Sequence, residues 1–139
     1  MPEFLDETQI DHFKKEGYLV LERRIPEDVL KTLVQELKAL EHQAYGLTVS
    51  NDMLDLEETH TPTSPRVRRI KHPHRHSQIL KDLMQSDSIL APVRDLLGAA
   101  NGNIRLQATK CNIKAANYGA AVEWHQDFGR VILTPTMIF

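Results

Sequence analysis

The chain has 139 residues, a length that suits one small domain with a hydrophobic core. Apolar residues make up 41% and charged residues 26%, which is typical of a globular protein and not of a disordered or membrane-spanning chain. The formal net charge of -2 gives no electrostatic reason to expect nucleic acid or a membrane surface as a partner.

Three further features bear on the compartment. No apolar run approaches the roughly 20 residues that are needed to span a bilayer. The first eleven residues are acidic and contain no hydrophobic signal region, so we expect a cytoplasmic protein. The single cysteine, Cys111, excludes an intrachain disulfide, and we expect it to be a small apolar filler in a strand.

The first predicted elements are a short helix and a short strand. Thr8-x-x-Asp11 resembles a capping box, with an acid in place of the usual Glu or Gln, and it predicts the start of the helix. Gly17 predicts the end of that helix. Residues 18–21 (Tyr-Leu-Val-Leu) are then predicted to form a short buried strand.

The clearest amphipathic pattern begins after Pro26, which suits the first position of a helix. Apolar residues recur there at three- and four-residue steps, with polar residues between them: Val29, Leu30, Leu33, Val34, Leu37 and Leu40. We predict a helix that ends before Gly46 and packs its apolar stripe against a sheet. A stripe that binds a partner is the alternative.

The middle of the chain is predicted to be a long loop followed by a strand. Residues 47–65 are polar and rich in Thr, Ser, Asp and Pro, which is typical of a loop. Residues 66–71 (Arg-Val-Arg-Arg-Ile-Lys) predict the beginning of a strand. We interpret their basic side chains as a solvated face.

Three alternating histidines, His72, His74 and His76, are separated by Pro73 and Arg75. Imidazole binds Zn, Cu and Ni well, so a metal-binding module is one hypothesis. The segment is basic, however, and no Cys or carboxylate lies close to it in the sequence. We therefore favour a surface loop whose charge changes with pH.

Two helices and a strand are predicted next. Residues 77–84 have the apolar pattern of a short helix, and Ser86 or Asp87 can cap a second helix that ends at Gly98. Pro92 is compatible with that second helix only in its first turn or at a kink. Residues 103–114 alternate as a strand does, with one face formed by Ile104, Leu106 and Ala108.

The most informative stretch is residues 124–128 (Trp-His-Gln-Asp-Phe). In an extended strand, side chains two residues apart point to the same face, so His125 and Asp127 can reach one metal ion. A second histidine from elsewhere would complete a set that leaves positions open on non-haem Fe(II) for a co-substrate and oxygen. Trp124 and Phe128 suggest a partly buried strand end, and we expect Trp124 to belong to the core. A surface histidine beside a solvated aspartate is the alternative.

Residues 124–128 resemble the metal-binding strand of the phytanoyl-CoA dioxygenase family of Fe(II)/2-oxoglutarate oxygenases. Residues 13–21 (Phe-Lys-Lys-Glu-Gly-Tyr-Leu-Val-Leu) resemble the N-terminal opening of that family, and so does Leu96-Leu-Gly98 followed by a strand ending near Lys110. The resemblance implies an α+β fold, in which N-terminal helices pack on a partial double-stranded β-helix, a jelly-roll or cupin-like barrel.

The resemblance also implies a set of ligands. His125 and Asp127 would bind Fe(II), with 2-oxoglutarate as co-substrate and ascorbate supporting activity. Oxidative decarboxylation of 2-oxoglutarate would drive hydroxylation of a C–H bond in a small-molecule or acyl substrate. Related halogenases lack the carboxylate, so Asp127 favours hydroxylation.

Two more residues take a role from the resemblance. Lys110 lies where some relatives place a lysine against 2-oxoglutarate, with an ordinary exposed strand lysine as the alternative. Gln126 matches the glutamine of the family, although a hydrogen bond to the backbone would also explain it. One of the basic residues in 66–71 could face the co-substrate as well, and the sequence does not select which.

The resemblance ends after Phe128. Family members continue with strands that carry a distal histidine and an arginine for 2-oxoglutarate, whereas residues 129–139 contain no histidine, and Arg130 lies too close to the motif. We therefore expect residues 1–139 to be a single truncated domain, roughly the first half of such an enzyme and inactive alone. A non-catalytic binding module or truncated isoform is the alternative. The substrate and the oligomeric state stay open.

Overall fold

The computed structural model of the chain describes residues 4–99, 104–106, 108–117 and 119–125. Within these residues it contains helices and a small antiparallel sheet, so the α+β class is confirmed at this level. The elements are, in chain order, α1 (Glu7–Glu16), α2 (Glu27–His42), β1 (Leu54–Leu56), β2 (Val67–Lys71), a 3-10 turn (Pro73–Arg75), α3 (Gln78–Gln85), α4 (Asp87–Leu96) and β3 (Lys110–Asn112).

Helix α1 is capped by Asp6, whose side chain accepts the N–H of Gln9 at 2.8 Å. The side chain of Gln9 accepts the N–H of Asp6 in return, at 3.1 Å. The capping box predicted at Thr8 and Asp11 is therefore wrong, because Gln9 completes a box that starts two residues earlier. Gly17 ends the helix as predicted, with a φ of 81° that favours glycine.

Residues 18–21 do not form the predicted buried strand. Tyr18 is 59% exposed and Val20 is 70% exposed. The ring of Tyr18 instead meets His12 of α1 edge-on, with the ring centroids 5.2 Å apart. A short apolar run becomes a strand only where another strand pairs with it, and the described sheet does not extend to this segment.

Helix α2 is the predicted amphipathic helix, with Pro26 as its N-cap instead of its first residue. Leu33 and Leu40 are buried, whereas Leu30 and Val34 are 48% and 43% exposed. The apolar stripe that is covered is therefore narrower than the sequence pattern. Contacts with β2 confirm that the helix packs against a sheet.

The sheet has the order β1–β2–β3, and both pairings are antiparallel. β2 confirms the strand predicted in residues 66–71, but β1 lies inside the segment predicted to be a loop. A shift in pairing between Asp55 and Leu56 marks a bulge. This bulge allows Val67 and Ile70, three residues apart, to enter the same core.

The core lies between α2 and one face of this sheet. Leu54 and Ile70 are fully buried there, and the cluster is completed by Leu40, Ala44 and Val67. Cys111 packs against it from β3, the role expected for this residue.

β3 is much shorter than the strand predicted for residues 103–114. Its inward face also differs from the prediction. Cys111 and Ile113 approach the core, whereas Leu106 is 51% exposed and Ala108 is exposed. Cys111 is fixed opposite Ile70 in the ladder, and residues directly opposite each other share a face. Pairing with β2 therefore decides which side chains are buried.

Helices α3 and α4 begin as the sequence predicts. Ser77 caps α3 by accepting the N–H of Leu80 at 3.4 Å, and Ser86 precedes α4. Pro92 lies beyond the first turn of α4, contrary to expectation. Its ring removes the N–H that would bond to the carbonyl of Ser88, and Arg24 Nη2 donates to that oxygen instead, at 3.4 Å.

The N-terminal segment is attached to α4 by Asp95, which is 8% exposed. Its Oδ2 accepts the N–H groups of Phe4 and Leu5, both at 2.7 Å. Leu5 is 3% exposed, and the guanidinium of Arg24 lies 4.2 Å from the centroid of the Phe4 ring. Hydrogen bonds and apolar packing therefore act on the same few residues.

The sheet of the described residues has three strands, so the jelly-roll barrel stays a prediction. Among the helices within those residues, none has the length and apolar character that crossing a bilayer requires.

Candidate functional site

The structure describes two of the four residues predicted for the site. Lys110 begins β3, and His125 ends the last described segment. Gln126 and Asp127 lie outside the described residues, as does Phe128. The pairing of His125 with Asp127 on one metal ion therefore stays a prediction.

His125 is exposed, and its Nδ1 lies 2.7 Å from the backbone oxygen of Glu123. A carbonyl oxygen can only accept, so Nδ1 is the donor, and in the neutral ring the lone pair is then on Nε2. Histidines that bind metals commonly donate their other ring N–H to a backbone carbonyl or a carboxylate. The tautomer of His125 is therefore the one that suits a metal ligand.

The surroundings of His125 differ from the prediction. Trp124 was expected in the core, but it is fully exposed, at 103%. Val122 is 55% exposed, and residues 121–125 are all exposed and belong to no strand. The prediction was wrong because it took an aromatic residue as a sign of burial, whereas no described element packs over this indole.

Lys110 lies on the face of the sheet that points away from the core. It is paired with Lys71 in the ladder, and Arg69 lies two residues from Lys71 on the same face. Asp55 forms ion pairs with both of these β2 residues, with its carboxylate 2.9 Å from Lys71 Nζ and 3.6 Å from Arg69 Nη1. Arg69 Nε also donates to Asn112 Oδ1 at 3.1 Å.

This charged face is electropositive. Within the three strands, one carboxylate, that of Asp55, stands against the cationic side chains of Arg69, Lys71 and Lys110. An excess of positive charge next to the amide of Asn112 favours a dianionic ligand over a neutral one. The structure thereby selects Arg69 and Lys71, among the basic residues of 66–71, as those that share a face with Lys110.

The three alternating histidines do not converge on one point. The rings of His72 and His74 meet edge-on with their centroids 6.1 Å apart, and His74 Nδ1 lies 2.6 Å from Thr109 Oγ1. Partial burial, followed by the positive charge of Arg75 and its cationic neighbours, lowers the pKa of His74 and favours its neutral form. In the described part of the chain, no three His, Cys, Asp or Glu side chains are placed to hold a metal ion.

A surface pocket of about 200 Å³ lies on the core side of the sheet, and its lining includes Glu41, Tyr45 and Ile113. Burial raises the pKa of the nearby Cys111 thiol, and the negative charge of Glu41 raises it further. Burial also raises the pKa of Glu41 itself, against the opposing charge of Lys38. A thiol that stays protonated is a poor nucleophile, so these shifts argue against covalent chemistry at Cys111.

One contact near the site was missed from the sequence. Glu57, which is 8% exposed, follows β1, and its Oε1 accepts the N–H of Ala120 at 3.1 Å. Lys114 Nζ donates to the carbonyl oxygen of the same residue. No local pattern could have revealed the first bond, because its partners are 63 positions apart in the chain.

Comparisons with known proteins agree with this arrangement of motifs. The family model described as "Phytanoyl-CoA dioxygenase (PhyH)" matches residues 13–138. A protein named "Probable alpha-ketoglutarate-dependent hypophosphite dioxygenase", from Stutzerimonas stutzeri, is 30% identical over 122 residues, which cover 88% of this chain and 41% of that protein.

Two ectoine dioxygenases are also similar to the chain. The protein from Nocardia farcinica is 28% identical over 122 residues, which cover 86% of this chain and 37% of the relative. The protein from Halomonas elongata is 26% identical over 125 residues, which cover 89% and 35%. The chain thus spans well under half the length of these curated relatives. No solved structure matches it significantly.

Proposed function

The chain belongs to the phytanoyl-CoA dioxygenase (PhyH) family, and on that premise we propose that it is part of an Fe(II)/2-oxoglutarate-dependent dioxygenase. We propose a small-molecule or acyl substrate that is hydroxylated at a C–H bond. The relatives are named for hypophosphite and ectoine, which are both small molecules. Hypophosphite contains no carbon, so family membership alone does not define the bond that is oxidised.

The match of the family model to residues 13–138 carries this proposal, and the hydrogen bond of His125 supports a metal-binding role for that residue. Its Nδ1 donates to the carbonyl of Glu123, an arrangement that is common among histidines that bind metals. We propose that His125 and Asp127 are two ligands of Fe(II), and that a distal histidine supplies the third. One imidazole and one carboxylate match the donors that non-haem Fe(II) uses in this type of enzyme.

The charged face of the sheet supports the co-substrate part of the proposal. 2-Oxoglutarate is a dianion, and Lys110 lies on a face where cations outnumber the carboxylate of Asp55. We propose that Lys110 pairs with the distal carboxylate of 2-oxoglutarate as a point charge. Gln126 is proposed as a hydrogen-bonding partner in the same site.

When bound, Fe(II) with 2-oxoglutarate supplies the oxidising chemistry, and the protein supplies binding, orientation and exclusion of side reactions. The part of His125 is to hold one coordination position through a fixed tautomer. The part of Lys110 is to orient the co-substrate by charge. We further propose stimulation by ascorbate, a cytoplasmic location, and residues 1–139 as one incomplete domain of the jelly-roll type.

A non-catalytic binding module of the same fold is the second candidate. It is favoured by the exposure of His125 and of residues 121–124 around it, because an oxygenase excludes bulk water from its metal site. In that case the charged face would still bind a dianion, but no turnover would follow.

Anaerobic titration with Fe(II) and 2-oxoglutarate tests the first proposal. We expect the weak visible charge-transfer band of an iron–2-oxoglutarate complex, in this chain or in the longest natural product that contains it. His125→Ala should abolish the band, while His76→Ala, a substitution of another exposed histidine, should leave it unchanged. Absence of the band from both proteins would exclude the oxygenase, and dianion binding without it would favour the binding module.

A further inference from the structure

We propose that Glu57 and Lys114 are positioning residues for the segment that carries His125. Together they hold the backbone N–H and the backbone carbonyl of Ala120, five residues before that histidine. The inference rests on the proposed function in one respect only, namely that His125 is a metal ligand. The hold on Ala120 is independent of any metal.

Glu57 is itself rigidly placed at the end of β1. Its N–H donates to the carbonyl of Arg66 at 2.9 Å, and its own carbonyl accepts the N–H of His60 at 2.9 Å. His60 Nδ1 accepts the N–H of Arg66 at 3.0 Å, so its Nε2 carries the proton and donates to Leu47 O at 2.9 Å. The carboxylate of Glu57 therefore extends from a backbone that is bonded on both sides.

The loop before His125 forms one hydrogen bond within itself and another to Glu57. The N–H of Gly119 donates to Ala115 O at 3.3 Å. A Cβ at position 119 would lie 3.1 Å from that oxygen and 3.3 Å from the nitrogen of Ala115, so this tight approach favours glycine. Lys114 reaches across the loop to the carbonyl of Ala120, and Glu57 takes the N–H of the same residue.

This hold matters because packing contributes little to the residues that follow. Val122 and Trp124 are exposed, so apolar contacts with other described residues do not define the path to His125. Five extended residues span about 17 Å, so the anchor at Ala120 limits the volume that the imidazole can reach, and its loss enlarges that volume. A metal ligand has to be held within roughly half an ångström of its productive position. Glu57 thus acts through the backbone on where His125 presents its Nε2.

Two variants of Glu57 separate the effect of the acceptor oxygen from the effect of the charge. Glu57→Ala removes the acceptor, whereas Glu57→Gln keeps an amide oxygen that can accept the N–H of Ala120 without the charge. Glu58→Gln, at an exposed neighbouring carboxylate, is the matched control. Lys114→Met tests the other half of the hold, and because Lys114 is exposed the fold should tolerate it.

Amide hydrogen exchange in the metal-free protein is the first readout. We expect Glu57→Ala to accelerate exchange at Ala120 by about tenfold or more and to leave exchange in β2 unchanged, because the opening is local. Glu57→Gln and Glu58→Gln should exchange as the parent chain does, and Lys114→Met should give a smaller acceleration. Equal exchange at Ala120 in the parent chain, Glu57→Ala and Lys114→Met would overturn the inference.

Fe(II) affinity in the charge-transfer titration is the second readout. Glu57→Ala should weaken Fe(II) binding by up to about tenfold, the lower end of the range for residues that contact a metal ligand directly, because Glu57 acts through the backbone. Glu57→Gln should restore most of it. Unchanged affinity in Glu57→Ala contradicts the positioning role. A parent chain that gives no band refutes the proposed function instead, and exchange at Ala120 then still decides whether the hold exists.

Discussion

Two segments of this chain are each held by a side-chain carboxylate that accepts backbone N–H groups, but the two segments differ in how far they are buried. Asp95 accepts the N–H groups of Phe4 and Leu5, and Glu57 accepts that of Ala120; both carboxylates are 8% exposed. Apolar packing reinforces only the first segment, since Leu5 is 3% exposed whereas Trp124, four residues after Ala120, is 103% exposed. Hydrogen bonds to a buried carboxylate therefore fix a peptide in place, and apolar burial decides whether its neighbours are fixed as well.

The two segments therefore contribute differently: one to the stability of the fold, the other to the proposed binding site. The N-terminal segment contributes to the packed body of the domain. Residues 119–125 are attached at Ala120, and residues 121–125 are exposed, which suits the metal-binding role proposed for His125. Binding residues are often drawn from such low-stability parts of a fold.

The largest expected effect comes from a change in the core between the sheet and α2. Ile70 is fully buried between β2 and α2, and Ile70→Ala should lower the free energy of unfolding by about 2–5 kcal/mol. Urea denaturation followed by circular dichroism measures this. Val49→Ala, at a residue that is 71% exposed, is the control. Similar losses of stability for the two variants would contradict the placement of Ile70 in the core.

A smaller effect should distinguish the two segments from each other. Asp95→Ala leaves two backbone N–H groups without this acceptor, and we expect it to lower the free energy of unfolding by about 2–3 kcal/mol. Asp95→Asn keeps one acceptor oxygen and should lose less, and Asp52→Ala, at an exposed position, should lose almost nothing. Amide exchange should accelerate at Phe4 and Leu5 but not at Ala120. Acceleration at all three would show that the segments are coupled.

The smallest effect is expected at the accessible segment itself. Trp124→Phe should change the free energy of unfolding by less than about 0.5 kcal/mol, because nothing in the described structure covers the indole. Trp124 is the single tryptophan of the chain, so its fluorescence reports on this segment alone. Its emission and its quenching by acrylamide should approach those of free N-acetyltryptophanamide. A blue-shifted, protected indole would contradict the contrast between the segments.

Most features that depend on neighbouring residues were predicted, although the N-cap of α1 is Asp6 and not Thr8. The spacing of leucines gave α2, Gly17 marked the end of α1, and Ser86 marked the start of α4. Each signal is local, since helix periodicity and capping involve residues within a few positions of each other. The family was also identified from short motifs, and the match over residues 13–138 confirms it.

Features that depend on distant partners were not predicted. β1 arises in a polar segment because β2 pairs with it, and the apolar run 18–21 fails to become a strand because nothing described pairs with it. The inward face of β3 is set by the pairing of Cys111 with Ile70. The motif identified His125 as a candidate ligand, but only the tertiary structure could reveal that Glu57 holds the chain in front of it.

The proline within α4 has a consequence for how this sequence can change. Pro92 leaves the carbonyl of Ser88 without its helical donor, and Arg24 supplies the replacement from 64 positions away. The guanidinium of Arg24 thus supplies the hydrogen bond to the Ser88 carbonyl that Pro92 cannot make. This replacement lowers the cost of a proline inside the helix. The two positions are therefore coupled through this hydrogen bond, although one lies between α1 and α2 and the other within α4.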